Sequence, residues 1–398
     1  MSENIKDIYP LSPMQQGMLF HSLYAPETEA YSEQLSCKLI GKLDMAAFKR
    51  AWQAVVDRHD TLKTAFVWED LDEPLQVVYK DVQLPFEILD WRDLPQQQRE
   101  KDFLDLLETE RRRGLELTEA PLMRIVLIQA DDAVFHLIWN HHHLLMDGWG
   151  LPIILREVMI FYEAFSNGRS LSLPQTRPYR DYIAWLQQQD MKQAEQFWKK
   201  RLEGFVAPTP LVIEQQTDAS PADYNKIRFI FSQEDSDLLN RFSKENQITL
   251  NTLLQAAWAF LLHRYSGEDD VVFGATVSGR PPELPGVEEI LGLFINTLPV
   301  RATFNDQKII REWLQDFQMA QAETRQYEYS PLVEIHKWSD VPNSQPLFKS
   351  LLVFENYPAG EQLEQKESTL QLTDVRSFER TNYPLTVVGS PGKQLAID

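Results

Sequence analysis

The chain alternates helical and strand patterning along its whole length. Residues 45–58 carry Phe48, Trp52, Val55 and Val56 at helical spacing, and residues 62–68 follow as an apolar strand. Residues 93–113 are mostly charged and Gln, with Phe103, Leu104, Leu106 and Leu107 interleaved, which predicts a helix. Two apolar runs, 122–129 and 133–141, flank Ala130-Asp131-Asp132; this predicts an antiparallel hairpin, central in its sheet because the runs are apolar on both faces. Residues 149–165 place Ile154, Val158, Phe161, Tyr162 and Phe165 at i, i+4, i+7, i+8 and i+11, one buried helical face. Asp147 and Gly148 stand where that helix needs an N-terminal cap, Pro152 fits only its first turn, and Asn167-Gly168 supply the stop.

Residues 169–178 are polar with two prolines and predict a boundary between two α/β lobes, 1–173 and 174–398. In the second lobe, 179–205 reads as one long Gln-rich helix and 206–223 as a loop rich in Pro, Thr and Ala. A strand at 226–231, an apolar helix at 250–265 after the cap Thr249, and a buried strand at 271–277 follow. Strands at 293–303, 351–355, 370–375 and 385–388 are expected to complete a second sheet. The second half repeats the order of the first, without a repeat at residue level.

Composition narrows the function. Of 398 residues, 43% are hydrophobic, enough for real cores and against disorder. Thirty-nine Lys and Arg against 59 Asp and Glu leave a net charge of −20, unfavourable for nucleic acid or an anionic membrane surface. The single cysteine, Cys37, excludes an internal disulfide framework and Cys-rich zinc sites. No signal core and no apolar run of membrane-spanning length occurs, so a cytoplasmic location is expected.

The most unusual local sequence is Asn140-His141-His142-His143-Leu144-Leu145-Met146-Asp147-Gly148-Trp149, at the junction of a buried strand and an amphipathic helix. Strand alternation puts His141 and His143 on one face and His142 on the other, so the three do not serve one site. A neutral imidazole here can accept a proton near neutral pH, and the helix start offers amides to developing negative charge. Plainer readings stand beside these: a buried His is more often a satisfied core residue, and an Asp before a helix more often a cap. A metal shared by His141, His143 and Asp147 lacks a His-x-x-Glu-His spacing, and no metal is assigned.

His142-His143-Leu144-Leu145-Met146-Asp147-Gly148 resembles the HHxxxDG signature of nonribosomal peptide synthetase condensation domains. Further stretches resemble that family's other motifs, in family order: 9–19 (YPLSPMQQGML), 58–66 (RHDTLKTAF, with Asp60 and Lys63 as conservative departures), 179–185 (YRDYIAW), 291–301 (LGLFINTLPVR), 329–334 (YSPLVE) and 380–385 (RTNYPL). Together they span almost the whole chain.

The resemblance implies an α/β fold: two chloramphenicol-acetyltransferase-like lobes, arranged as a V-shaped pseudo-dimer with the active site in a tunnel between them. It implies peptide-bond formation, in which the α-amine of an acceptor aminoacyl-carrier thioester attacks a donor peptidyl-carrier thioester. Substrates would arrive on the phosphopantetheine of upstream donor and downstream acceptor carrier proteins, beside adenylation and epimerization domains, and the domain itself would bind no cofactor. His143 would be the catalytic histidine, as a base toward the amine or as a group that orients it. His142, Asp147, Gly148 and Arg280 would support the site: His142 turned into the lobe, Asp147 paired with Arg280, the Gly148 amide near the reacting carbonyl. Trp149, Asn296, Asn382 and Ser12 are expected on the tunnel wall, and His141 as a packing residue. Gly150 stands where a serine is common.

Residues 12–21, Leu144-Leu145-Met146, and Phe378-Glu379-Arg380-Thr381-Asn382-Tyr383 resemble the subclass that takes a D-configured donor and an L-aminoacyl acceptor. The family carries a strand and helix beyond its last motif, so its C-terminal end is expected to be missing after Asp398. If Met1 is the natural start, a separate upstream protein would supply the donor carrier. Epimerization-type members, catalytically silent carrier-docking members and free-standing coenzyme A-dependent acyltransferases remain as alternatives.

Overall fold

The computed structural model describes residues 4–211, 225–305, 307–356 and 370–398. In chain order the elements are β1 (Ile5–Pro10), α1 (Pro13–Tyr24), β2 (Ser32–Ile40), α2 (Met45–Arg58), β3 (Thr64–Val67), β4 (Leu75–Tyr79), β5 (Phe86–Asp90), α3 (Gln96–Arg112), β6 (Met123–Asp131), β7 (Val134–His142), α4 (Gly150–Ser166) and α5 (Arg180–Leu186). There follow α6 (Met191–Leu202), β8 (Phe229–Ile230), α7 (Gln233–Glu245), α8 (Leu250–Ser266), β9 (Asp270–Val277), β10 (Asn296–Thr303), α9 (Ile310–Thr324), α10 (Leu332–Trp338), β11 (Ser350–Phe354), β12 (Gln371–Phe378), β13 (Leu385–Ser390) and β14 (Ala396–Ile397). No helix among the described residues is long and apolar enough to cross a membrane.

The chain forms two compact units. The first comprises Met1–Gln187, Arg280–Phe294 and Tyr357–Thr381; the second comprises Gln188–Gly279, Ile295–Asn356 and Asn382–Asp398. The division therefore falls later than the expected 173/174, and two segments from beyond it return to the first unit. The reason is apolar: Tyr179, Tyr182 and Ile183 of the α5 region share one core with Tyr9, Val78, Leu284, Val287, Ile290 and Phe294.

The first unit is organised by a five-stranded sheet in the order β12-β2-β7-β6-β5. The expected hairpin is β6–β7, antiparallel and interior to the sheet. The α2 and α4 helices pack on one face, where the Trp52 ring stands edge-on to Trp139 at 5.1 Å and Phe48 edge-on to Tyr162 at 5.7 Å. The α3 helix covers the other face through Leu107 against Val126, Ile128 and Ile138. Each such side chain contributes about 1.5–3 kcal/mol when fully buried, so the strand end that follows Trp139 has a fixed seat. A three-stranded sheet, β1-β4-β3, completes the unit.

The second unit holds a six-stranded sheet in the order β10-β9-β11-β13-β14-β8. Ala256, Ala259 and Leu262 of α8 and Leu314 and Phe317 of α9 share a core with Phe273. Trp198 and Leu202 of α6 share another with Ile335 of α10 and Phe348, and the Trp198 indole N–H donates to Ser330 Oγ at 2.9 Å.

Two element readings change. The stretch 370–375 belongs to β12, which pairs with β2 at the edge of the first unit's sheet, not with the second sheet. Alternation marks a strand but not its partner; here the Arg111 guanidinium seats the strand's end, 4.5 Å over the Phe378 ring. The helix expected over 179–205 is two helices, because the Asp190 side chain caps α6, accepting from the N–H groups of Lys192 (3.0 Å) and Gln193 (3.1 Å). The loop expected over 206–223 lies outside the described residues from 212 onward.

Candidate active site

The histidine run ends β7 and enters the turn before α4. Within the sheet Glu33 of β2 lies directly opposite His141, so both side chains leave the same face. Glu33 Oε2 is 2.6 Å from His141 Nε2, and Glu33 Oε1 is 3.2 Å from His143 Nε2. One half-buried carboxylate thus bridges the two histidines that alternation placed together. His141 also stacks on Trp139 at 4.6 Å, so it does more than pack: it holds the carboxylate that faces His143.

His143 is fixed from its other side. Its Nδ1 is 2.8 Å from the Met146 carbonyl, an acceptor only, so Nδ1 carries a hydrogen and Nε2 is the nitrogen left to face the carboxylates. Nε2 faces Glu33 and, at 3.8 Å, Glu379 Oε1 just beyond β12. Among the described residues these three, Glu33, His143 and Glu379, are the His, Cys, Asp or Glu groups whose donor atoms converge within 4.8 Å of one another. The His141, His143 and Asp147 set considered as a metal alternative is not assembled.

The surroundings push the three ionisable groups apart. Burial pulls the His143 imidazole down, but Glu33, Glu379, the Met146 carbonyl and Asp147 together raise it above its ordinary value. Burial pushes Glu33 up, and the positive character of His143 and His141 outweighs it, holding the carboxylate at about 2. His142 points the other way. Its Nδ1 accepts from the Leu144 N–H at 3.1 Å and its Nε2 meets Ser22 Oγ of α1 at 3.2 Å. Burial, then the neighbouring His143, lowers its pKa from 6.5 to about 3, which favours the neutral ring.

Asp147 anchors the turn. Its Oδ1 accepts from the Trp149 N–H at 3.1 Å and lies 3.2 Å from an Arg280 amino group; its Oδ2 accepts from the Phe294 N–H at 2.9 Å. Arg280 in turn donates to the carbonyls of Val287 (2.5 Å) and Ile290 (3.0 Å) and lies over the Phe294 ring at 4.1 Å. The Asp147 N–H donates to the Gly292 carbonyl at 3.2 Å. This network fixes Met146, and through it His143. A Cβ on Gly150 would stand 2.7 Å from Leu291 Cδ1 and 2.8 Å from Met146 Sδ, so a serine there needs the ends of both side chains to shift.

The expected wall residues have varied fates. Ser12 is buried as the cap of α1, its hydroxyl accepting from the Gln15 N–H while the Gln15 side chain accepts the Ser12 N–H. Asn296, in the second unit, donates to the Glu328 and Ser330 carbonyls, both at 2.8 Å, and is spent on backbone. Trp149 and Gly148 are half-buried in the turn before α4, and Asn382 is exposed in the second unit. Glu33 and the contact of Glu379 with His143 were not read from the sequence. For Glu33 a signal was present: Glu33, Leu35, Cys37 and Leu39 share one strand face, and the last three are buried. An ionisable residue continuing a buried apolar face needs a partner.

The family model "Condensation domain" matches residues 5–398. The chain belongs to the condensation-domain family. Members are acyltransferases that form amide bonds in nonribosomal peptide synthesis, and their substrates are carried on carrier-protein phosphopantetheine. One of the linear gramicidin synthase proteins of Brevibacillus parabrevis is 45% identical over 399 residues, covering 100% of this chain and 5% of that protein. Surfactin synthase subunit 3 of Bacillus subtilis (strain 168) is 32% identical, covering 99% of this chain and 31% of that protein. This domain thus spans a small part of its relatives' length. The starter condensation domain of rhizomide synthetase, solved with C8-CoA, superimposes with a TM-score of 0.80 at 21% identity, over 98% of this chain and 88% of that one. A holo four-domain nonribosomal peptide synthetase gives 0.81 at 19% identity, over 99% of this chain and 31% of that one. The α/β fold expected from the motifs is the one these solved structures have.

Proposed function

We propose that this domain joins a donor peptidyl group to the α-amine of an acceptor aminoacyl group, with His143 at the reacting centre. The observation that carries the reading is the locked ring: Nδ1–H spent on Met146, Nε2 turned toward two carboxylates. A thioester is already activated, so the site has to align two arms, exclude water and manage charge. Its carboxylate neighbours hold the ring more basic than an ordinary histidine, which favours the protonated form. As a cation it orients the reactants and meets the negative charge that grows on the thioester oxygen, assisted by the Gly148 amide. Asp147 and Arg280 keep the turn in register, and His142 supports it from behind.

The donor is proposed to end in a D-residue, on the likeness of residues 12–21, 144–146 and 378–383 to that subclass. Carrier proteins upstream and downstream are the partners, with adenylation and epimerization domains in the same assembly, in the cytoplasm. The test is single-turnover transfer followed by intact-protein mass spectrometry, with a peptidyl donor carrier ending in D or L and an L-aminoacyl acceptor carrier. Transfer of the D-donor chain by wild type, absent in His143→Ala, is the expected result. Equal use of both donors removes the subclass. Inverted donor with no amide product turns the reading to epimerization, and a folded wild type that binds both carriers without transfer turns it to docking.

A further inference from the structure

Two carboxylates converge on His143, and they differ in how they are used. Glu33 has one oxygen on His141 and the other on His143, and its side chain is 18% exposed. Glu379 reaches His143 Nε2 at 3.8 Å with a side chain 47% exposed. Glu33 is therefore a built-in counter-ion, and Glu379 is the carboxylate that a substrate can reach. An acceptor amine has an ordinary pKa of about 8 and arrives mainly as a cation, which a half-exposed carboxylate beside the reacting centre recognises.

We propose that Glu379 is a further catalytic residue: it binds the α-ammonium of the acceptor and accepts the protons that nitrogen sheds during amide formation. The assignment rests on the acyl-transfer reading above. Two protons leave nitrogen. The first passes to the Glu379 carboxylate and from there to solvent, freeing the lone pair that attacks the thioester carbon. The C–N bond forms, and the second proton moves to Glu379 from the tetrahedral adduct. The C–S bond then breaks, and the departing pantetheine sulfur takes that proton as a thiol. His143 neither takes nor gives a proton in these steps and keeps its contact with Glu33. The charged and titratable groups around it are Glu33 from β2, His141 from β7, Asp147 from the turn, Glu379 beyond β12, the Tyr31 ring at 6.4 Å and, turned to the opposite side, His142.

The experiment compares wild type, Glu379→Gln and Glu379→Asp in single-turnover transfer between carriers, from about pH 6 to about pH 9, a window around the free α-amine value of about 8. With the base gone, Glu379→Gln should be slower by about 10²-fold or more at neutral pH. The acidic limb of its profile should move up toward the amine's own value, because only free amine then reacts. Glu379→Asp keeps a base and should keep the wild-type acidic limb, at a reduced rate; it also serves if the Gln variant fails to fold. An unchanged Gln variant, or one slowed equally at every pH, overturns the role of Glu379 and leaves the acyl-transfer reading intact. A wild type that forms no amide from any donor overturns both.

Discussion

Replacing Arg280 by Met tests whether the Asp147 network holds the active-site turn. Asp147 is buried and keeps two backbone donors, from Trp149 and Phe294, but loses the guanidinium that faces it. The Val287 and Ile290 carbonyls each lose a donor, and the Phe294 ring loses the cation over its face. Breaking a buried ion pair from one side costs about 3–5 kcal/mol, because the remaining charge stays desolvated. A cooperative unit of about 150–250 residues loses roughly 2–4 °C in Tm per kcal/mol, so the unfolding midpoint should fall by roughly 6–20 °C. The same change loosens Met146, the acceptor that orients His143, so kcat should fall in the protein that remains folded. Differential scanning calorimetry and single-turnover transfer at a temperature well below the new midpoint check both. A Tm within about 2 °C of wild type would put the loss below ~1 kcal/mol and refute the claim that this pair anchors the turn.

Three other outcomes are expected. Glu33→Gln removes the strongest influence that raises His143 and leaves burial, which lowers it, so His143 loses its proton at lower pH. Since the cation is proposed as the working form, the alkaline limb of the pH–rate profile should move down; an alkaline limb that stays put contradicts it. His142 has a pKa lowered from 6.5 to about 3, so the unfolded chain takes up a proton there before the folded one does. Its contribution is whole above pH 6.5 and is lost as pH falls toward 3, and His142→Asn should flatten the fall in stability over that window in acid denaturation. Gly150→Ser sets an added Cβ against the ends of the Leu291 and Met146 side chains, which must shift, costing about 1 kcal/mol as overpacking and slowing transfer if the Met146 backbone follows its side chain. Guanidinium melts and transfer rates of that variant matching wild type would show that the turn yields freely.

Elements with a strong period were legible. The α2 and α4 stripes, the β6–β7 hairpin and α8 behind its Thr249 cap are where the apolar pattern puts them. The pattern failed where two elements run together or where a partner is remote. Nothing apolar interrupts 179–205, and the break comes from one polar side chain, Asp190, taking two backbone donors. The α7 helix was not read at all, although Ser232 caps it, because its apolar content is thin: Leu238 and Phe242 are themselves exposed. The β12 strand has mostly exposed side chains, so its backbone pairing with β2 leaves almost no mark on its side chains.

The site divides along the same line. Alternation alone separated His142 from His141 and His143, and the neighbours then give adjacent residues opposite fates. His142 is driven neutral by burial, its ring nitrogens meeting a backbone N–H and a serine hydroxyl. His143, one residue on, is driven toward its cation by carboxylates from β2 and from the end of β12. Those carboxylates lie far away in sequence, and only the order β12-β2-β7 brings β2 and the end of β12 to the end of β7. A motif read along the chain therefore names the histidine but not its charge. The pull toward the cation is set by the sheet: moving β2 by one residue would turn Glu33 to the opposite face, leave His141 and His143 without their shared carboxylate, and remove the largest influence that raises His143. The register of the β2–β7 pair, and not the histidine motif alone, sets which carboxylate faces His143.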